Sequence, residues 1–171
     1  MILFRWWRQR IIPIDVLKKT PWHILVFAFS MYIIVFGLHN VGFTSVIIDT
    51  FRAPVSKDHY NAVLIWGLLL TGMSNLLNNL PAVMLGTLAI TKMGLDSQTM
   101  QVSYLANILG SDIGALIMPM GTLATLIWMF ILRQNKINIS WRHYLGITTL
   151  TVPIGLIVSL LSLYFWSRLL I

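Results

Sequence analysis

Three asparagines and a proline interrupt an otherwise apolar segment, and this interruption constrains the fold more than any other feature. The segment runs from Ala62 to Ile90 without a charged residue and contains the sequence Ser-Asn-Leu-Leu-Asn-Asn-Leu-Pro at positions 74–81. A primary amide buried in an apolar medium without a hydrogen-bond partner costs a few kcal/mol, and proline breaks a helix because it removes a backbone donor. Irregular backbone persists at membrane depth only where protein buries it or where it lines a cavity. The interruption therefore predicts a binding site rather than a plain membrane span.

Composition places the chain in the membrane and excludes several classes of function. Hydrophobic residues make up 57% of the 171 residues and charged residues only 10%, whereas soluble domains are about 25% charged. The formal net charge of +7 fits Lys and Arg concentrated in membrane-flanking loops, and we expect no nucleic-acid partner. Cysteine is absent, and the histidines are too scattered for a metal site, so no metal and no cofactor is predicted. No phosphate loop, nucleophile elbow or paired carboxylates are present, so an enzyme is not expected.

The lengths of the two arms around the first interruption predict a helical hairpin. A break at positions 79–81 leaves arms of about 17 and 10 residues, or about 25 and 15 Å at the rise of an α-helix. The second arm is too short to cross a bilayer. We therefore predict a re-entrant helical hairpin with its tip at mid-depth, and Pro81 as a helix-breaking residue.

A second apolar segment, Met100 to Leu132, also contains a break. As one straight helix of about 33 residues it would be about 50 Å long, well beyond the thickness of a membrane. The helix-breaking residues here are Gly110, Gly114, Pro119 and Gly121. We predict two half-helices joined by an unwound linker, and two such interruptions in sequence point to the site of a secondary transporter.

The remaining segments complete an all-α integral membrane protein. Residues 1–20 form a basic interfacial segment, and residues 21–171 form the transmembrane unit. A first span covers positions 21–38, a short amphipathic helix over 44–51 is ended by Pro54, and a last span covers 144–166. The excess of Lys and Arg in residues 1–20 and 133–142 predicts that the N-terminus is cytoplasmic.

Asp112 is the leading candidate for a coupling residue because it is the one acidic residue inside an apolar segment. A carboxylate at the centre of a bilayer costs about 2.5–3.5 kcal/mol on insertion scales and is by default functional. Our hypothesis is that Asp112 carries the coupling proton. The alternative is a neutral side chain bonded to the linker backbone.

Amide and hydroxyl side chains around the two breaks are the candidate substrate- or ion-binding groups. Asn78 and Asn79 offer amide donors and acceptors at the hairpin tip, Asn75 lies one turn earlier, and Asn107 precedes Asp112 by five residues. Alternatively, these amides satisfy backbone groups of the tip. Thr122 lies at the start of a half-helix whose dipole favours anions, and its alternative role is an N-cap.

At these motifs the chain resembles the ArsB family of arsenical efflux pumps, within a wider ion-transporter superfamily. The matching stretches are 20–32, 78–86 and 104–114, and the strongest is Pro-Met-Gly-Thr-Leu-Ala-Thr-Leu-Ile-Trp at 119–128. The resemblance covers about residues 13 to 166. It implies efflux of arsenite or antimonite across the bacterial inner membrane, coupled to protons in some members and to a cytosolic ATPase in others.

Family proteins are roughly twice this length and consist of two inverted repeats, and this chain resembles the C-terminal repeat alone. That repeat contains a scaffold helix, a hairpin, a broken helix and a last span. A partner carrying the N-terminal half is therefore expected, since the site of such folds lies between the repeats. Antiparallel self-association is disfavoured by the charge bias.

The chain also departs from the family pattern, which leaves other functions open. Many members have Pro-Lys at the positions of Ala115 and Leu116, and threonine at the position of Met118. The missing lysine removes an anion partner and a partner for Asp112. The alternatives are a sodium/proton antiporter or anion transporter of the same superfamily, and a non-functional truncated fragment.

Overall fold

The computed structural model describes residues 22–170, and every regular element within this range is helical. The elements are α1 (Trp22–Asn40), α2 (Phe43–Val55), α3 (His59–Leu77), α4 (Asn79–Lys92), α5 (Ser97–Asp112), a 3₁₀ turn (Gly114–Ile117), α6 (Leu123–Gln134) and α7 (Trp141–Leu170). Three of these helices, α1, α3 and α7, are long and apolar enough to cross a membrane. The prediction of an all-α integral membrane protein is confirmed. The predicted interfacial segment 1–20 lies outside the described residues.

The hairpin and the first half of the broken helix form the core. Helices α3 and α5 run parallel at very close range, because a Cβ atom at Gly110 would clash with the carbonyl oxygen of Gly67. A Cβ atom at Gly114 would likewise meet the side chain of Thr71. Around this contact Trp66, Leu70 and other apolar side chains of α3, α4 and α5 are fully buried. Glycine here permits backbone approach, as small residues do between membrane helices.

Helix α2 is longer than the sequence predicted. It runs through Pro54 to Val55 instead of ending at Phe51. A proline removes its own N–H donor and crowds the carbonyl group four residues earlier, yet the backbone N–H of Ser56 still donates to the carbonyl oxygen of Arg52 at 3.0 Å. A proline in the last turn is therefore compatible with the helix.

Two carboxylates outside the apolar segments cap helices. Asp58 accepts from the backbone N–H of Asn61 at 2.7 Å at the start of α3, and Asp96 accepts from that of Thr99 at 2.9 Å at the start of α5. The Thr99 backbone hydrogen bond lowers the pKa of the Asp96 carboxyl below its ordinary value. These aspartates satisfy free N–H groups of a first helical turn.

The described unit has two distinct ends. At the Trp141 end, α1 begins, α6 ends and α7 begins, and the ring of His23 meets that of Phe130 at 5.4 Å. At the Tyr164 end, α3 begins and α7 approaches its C-terminus, and the rings of Tyr60 and Tyr164 lie 5.5 Å apart. The 14 residues of α4 correspond to about 21 Å of helix, which is shorter than a membrane span.

Candidate functional site at the junction of the hairpin and the broken helix

Asn78 forms the tip of the hairpin, between α3 and α4. Its φ of 76° and ψ of 152° lie outside the helical region, in a range of φ that asparagine adopts more readily than most residues. Pro81, which we predicted as the break, instead lies buried in the first turn of α4. A first-turn N–H has no helical acceptor, so proline is tolerated at this position. The break is the change of backbone direction at Asn78.

The second break is an unwound linker between α5 and α6. After Asp112 the chain makes the 3₁₀ turn, becomes extended at Met118 and reaches Thr122. Gly114, Pro119 and Gly121 lie in this linker, as predicted, whereas Gly110 does not. Helix α5 continues through Gly110, and the N–H of Ile113 donates to the carbonyl oxygen of Leu109 at 3.0 Å. A glycine is required at position 110 because a side chain there would prevent α5 from packing against α3. Gly110 therefore serves packing and does not break the helix.

Asn75 joins the hairpin to both sides of the 3₁₀ turn. Its Nδ2 donates to the carbonyl oxygens of Thr71 at 2.7 Å and Gly114 at 2.8 Å, and its Oδ1 accepts from the backbone N–H of Met118 at 2.7 Å. The side chain is 7% exposed. The carbonyl and N–H groups that the turn leaves without helical partners are thus satisfied by one amide.

Asn78 and Asn79 hold the linker further along. The Nδ2 of Asn78 donates to the carbonyl oxygen of Met120 at 3.0 Å. The backbone N–H of Asn79 donates to the carbonyl oxygen of Gly121 at 2.8 Å. The predicted alternative, in which amides satisfy backbone groups, describes the hydrogen bonds of Asn75 and Asn78. These bonds fix the hairpin tip against the unwound linker.

Helix α7 supplies two contacts to the linker that the sequence did not indicate. The hydroxyl of Tyr144 donates to the carbonyl oxygen of Leu116 at 2.9 Å, and that of Thr148 donates to the carbonyl oxygen of Ile117 at 2.8 Å. The two side chains are four residues apart, so they lie on one face of α7. This four-residue spacing is visible in the sequence. It does not identify a contact with the linker, because the position of the linker relative to α7 is known only from the structure.

Asp112 and Asn79 meet at the junction. Asp112 ends α5 with its side chain exposed, and its Oδ1 accepts from the Nδ2 of Asn79 at 3.4 Å. The C-terminal end of a helix carries partial negative charge. The Asp112 carboxylate adds negative charge to this end of α5, beside the amide of Asn79.

Thr122 and Asn107 are held by other contacts. The Oγ1 of Thr122 caps α6 by accepting from the N–H of Thr125 at 3.1 Å, in agreement with the N-cap alternative. The Nδ2 of Asn107 is directed to α4, at 3.4 Å from the carbonyl oxygen of Val83 and 3.3 Å from the Oγ1 of Thr87. Asn107 therefore faces the hairpin one to two turns away from its tip. Ligand binding by either residue stays a prediction.

Comparison with known proteins gives one family and several relatives. The profile of the ArsB family, described as arsenical pump membrane protein, matches residues 9–167. A "putative arsenical pump membrane protein" of Bacillus subtilis (strain 168) is 46% identical over 166 residues, which are 97% of this chain and 38% of the relative. An "arsenical pump membrane protein" of Escherichia coli is 35% identical over 150 residues, 86% of this chain and 34% of the relative. The chain thus spans somewhat more than a third of the relatives' length, and no solved structure matches it significantly.

Proposed function

The chain belongs to the arsenical pump membrane protein family, ArsB, and we propose that it forms one repeat of a carrier that extrudes arsenite or antimonite across the bacterial inner membrane. The observation that carries this proposal is the match to the family over residues 9–167, which includes the whole junction of hairpin and linker. The family is one of transporters rather than enzymes.

The match to little more than a third of the relatives' length and the exposed junction support a half-carrier. The side chains of Asp112, Met118 and Met120 are exposed at the junction, although α5 and the linker lie in an apolar segment. In inverted-repeat transporters the site is formed between the two repeats. We propose that this chain corresponds to the C-terminal repeat and that a second repeat, in another chain or in a longer protein, covers this surface; a cytosolic arsenical ATPase is a further possible partner.

In this proposal the hairpin is re-entrant. The contacts of Tyr144 and Thr148 with the linker set the depth of the tip, since the hairpin is bonded to the same linker. Thr148 lies seven residues after Trp141, about 11 Å along the 30-residue α7. In this proposal the tip lies within the span of α7, toward its Trp141 end, because Met120, which bonds Asn78, shares a cavity with Trp141.

The proposed mechanism couples Asp112 to the substrate through the hairpin tip. The deprotonated carboxylate accepts a hydrogen bond from a hydroxyl of arsenic or antimony trihydroxide, next to the amide of Asn79. The coupling proton neutralises the carboxylate and removes this acceptor, which releases the substrate. Proton and substrate therefore bind in alternation, as the exchange of inward protons for outward substrate requires.

An accumulation assay in arsenite-sensitive bacteria tests the proposal. The chain is expressed in two forms, alone and as a fusion to the complementary part of the Bacillus subtilis relative. Arsenite accumulation and sodium tolerance are then measured separately for each form. We expect the joined protein to lower arsenite accumulation and Asp112→Asn to abolish this effect. Asp49→Asn is the matched control, because Asp49 is an exposed carboxylate on α2 away from the junction.

Three results would contradict the proposal. Full efflux by Asp112→Asn would exclude a coupling role for this carboxylate. Sodium tolerance without arsenite efflux would exclude the proposed substrate and favour the antiporter alternative. Efflux by the unjoined chain would contradict the half-carrier.

A further inference from the structure

A cavity of about 390 Å³ lies at the Trp141 end, between the start of α1, the end of α6 and the start of α7. Its walls are almost entirely apolar and include Ile24, Phe27, Leu126, Met129 and Phe130. A hydrated ion gains nothing from such walls, whereas a hydrocarbon chain buries its surface against them. The cavity is therefore shaped for an apolar occupant along most of its length.

The rim of the cavity differs from its walls. It carries the imidazole of His23, the guanidinium of Arg133 and the indole of Trp141. Arg133 lies in the last turn of α6, and Trp141 begins α7. No carboxylate lines the cavity among the described residues, so the rim presents an uncompensated positive charge to whatever enters.

These two properties together match an amphipathic anion of the bilayer. Tryptophan residues mark the level of the lipid headgroups, and basic pockets between membrane helices bind acidic headgroups. Arginine donates two parallel hydrogen bonds to a phosphate. We propose that this cavity binds one anionic phospholipid, with its phosphate at Arg133 and His23 and an acyl chain along Phe27 and Phe130.

The lipid would touch the transport machinery. Pro119 and Met120 of the linker also line the cavity, and the carbonyl oxygen of Met120 accepts the hydrogen bond of Asn78 at the hairpin tip. An acyl chain in the cavity would therefore contact the linker that holds the tip. This proposal requires only that the chain lies in a membrane and does not depend on the arsenical substrate.

Native mass spectrometry of the purified full chain tests the proposal. The protein is released from micelles that contain equal amounts of phosphatidylglycerol and phosphatidylcholine of the same acyl chains. We expect one phosphatidylglycerol to be retained over phosphatidylcholine by about fivefold, the ratio that corresponds to one basic group at a membrane surface. Arg133→Gln removes this preference. Arg142→Gln keeps it, because Arg142 is an exposed arginine of the same end that does not line the cavity.

A second variant and a soluble competitor separate the lipid from other occupants. Leu126→Trp fills the cavity and is expected to reduce retention of phosphatidylglycerol several-fold with an unchanged helical circular dichroism spectrum. Equal retention of the two lipids, or equal effects of Arg133→Gln and Arg142→Gln, would overturn the proposal. Displacement of the lipid by millimolar glycerol phosphate would also overturn it, because it would show a phosphate site without a role for the acyl chain.

Discussion

At the scale of single residues, Asn75 shows how a polar side chain in an apolar segment can be explained by backbone rather than by ligand. Its amide contacts Thr71, Gly114 and Met118 in three hydrogen bonds. Each buried backbone group that loses its partner costs about 1–3 kcal/mol. The amide of Asn75 therefore satisfies backbone groups that the unwound linker leaves without helical partners.

Replacing Asn75 should consequently destabilise the fold. We expect Asn75→Ala to lower the free energy of unfolding by about 2–4 kcal/mol, because it leaves the Gly114 carbonyl and the Met118 N–H without partners. Thermal unfolding in detergent, followed by circular dichroism, measures the effect. The control is Asn135→Ala, whose amide donates to the Ile131 carbonyl oxygen on an exposed helix end. Equal stability of the two variants would show that Asn75 does not support the linker.

The sequence located the important polar residues but not their roles. The cost of a buried amide implies that it has a partner, and it does not say whether the partner is a ligand or a carbonyl group. Asn75, Asn78 and Asn79 were predicted at one site, and the structure brings all three against the linker. Asn107 could not be placed in the same way, because five residues on a helix do not fix which neighbour it faces.

At the scale of elements, the close approach of α3 and α5 depends on Gly110, which lies directly against the backbone of Gly67. Because a Cβ atom at Gly110 would clash with backbone rather than with a movable side chain, the helices themselves must separate to admit it. Such separation disturbs the Thr71 hydroxyl, which lies 3.3 Å from the Gly110 carbonyl oxygen. The contact thus sets the position of α5 relative to the hairpin.

A pair of glycine substitutions measures this contact. Gly110→Ala should destabilise the protein by about 1–3 kcal/mol through overpacking. Gly72→Ala should be neutral or stabilising by up to about 1 kcal/mol, since nothing lies within 4 Å of its Cβ position and alanine favours a helix. Melting temperatures in detergent are expected to shift in opposite directions. A shift of the same sign and size in both variants would contradict the packing role.

The presence of a hairpin and a broken helix was predictable, whereas the lengths and ends of the helices were not. The hairpin and the broken helix followed from segments too short or too long for a bilayer, and that reasoning does not depend on any single residue. The assignments of Pro54, Pro81 and Gly110 as break points were wrong because a proline is tolerated in terminal turns and because glycine also serves packing. Whether a glycine breaks a helix or permits close packing depends on which helix lies next to it, and the sequence alone does not show that.

At the scale of the whole molecule, the two ends of the described unit carry different charges. The Trp141 end carries Arg133 at the end of α6, Lys136 in the loop and Arg142 at the start of α7, without an acid among the described residues. The other end mixes acidic and basic side chains. The positive-inside rule assigns the Trp141 end to the cytoplasm. This orientation stays a prediction.

Single cysteines test the orientation directly, because the native chain has none. We expect Gln98→Cys, at the start of α5, to react with a membrane-impermeant maleimide in intact spheroplasts. Asn138→Cys, in the loop between α6 and α7, should react only after lysis. Both positions are exposed. The inverse pattern would reverse the orientation, and labelling of both sites in intact spheroplasts would contradict opposite ends for the two loops.

The sparse packing of α1 has a mechanical consequence. Among its residues only Ile24 and Val35 are buried, whereas the hairpin, α5 and the linker are joined by backbone contact and by the amides of Asn75 and Asn78. Segments with few buried contacts are the least costly to displace. We therefore expect a conformational change in this unit to displace α1 relative to the rest, with the hairpin and the linker moving together as one rigid body.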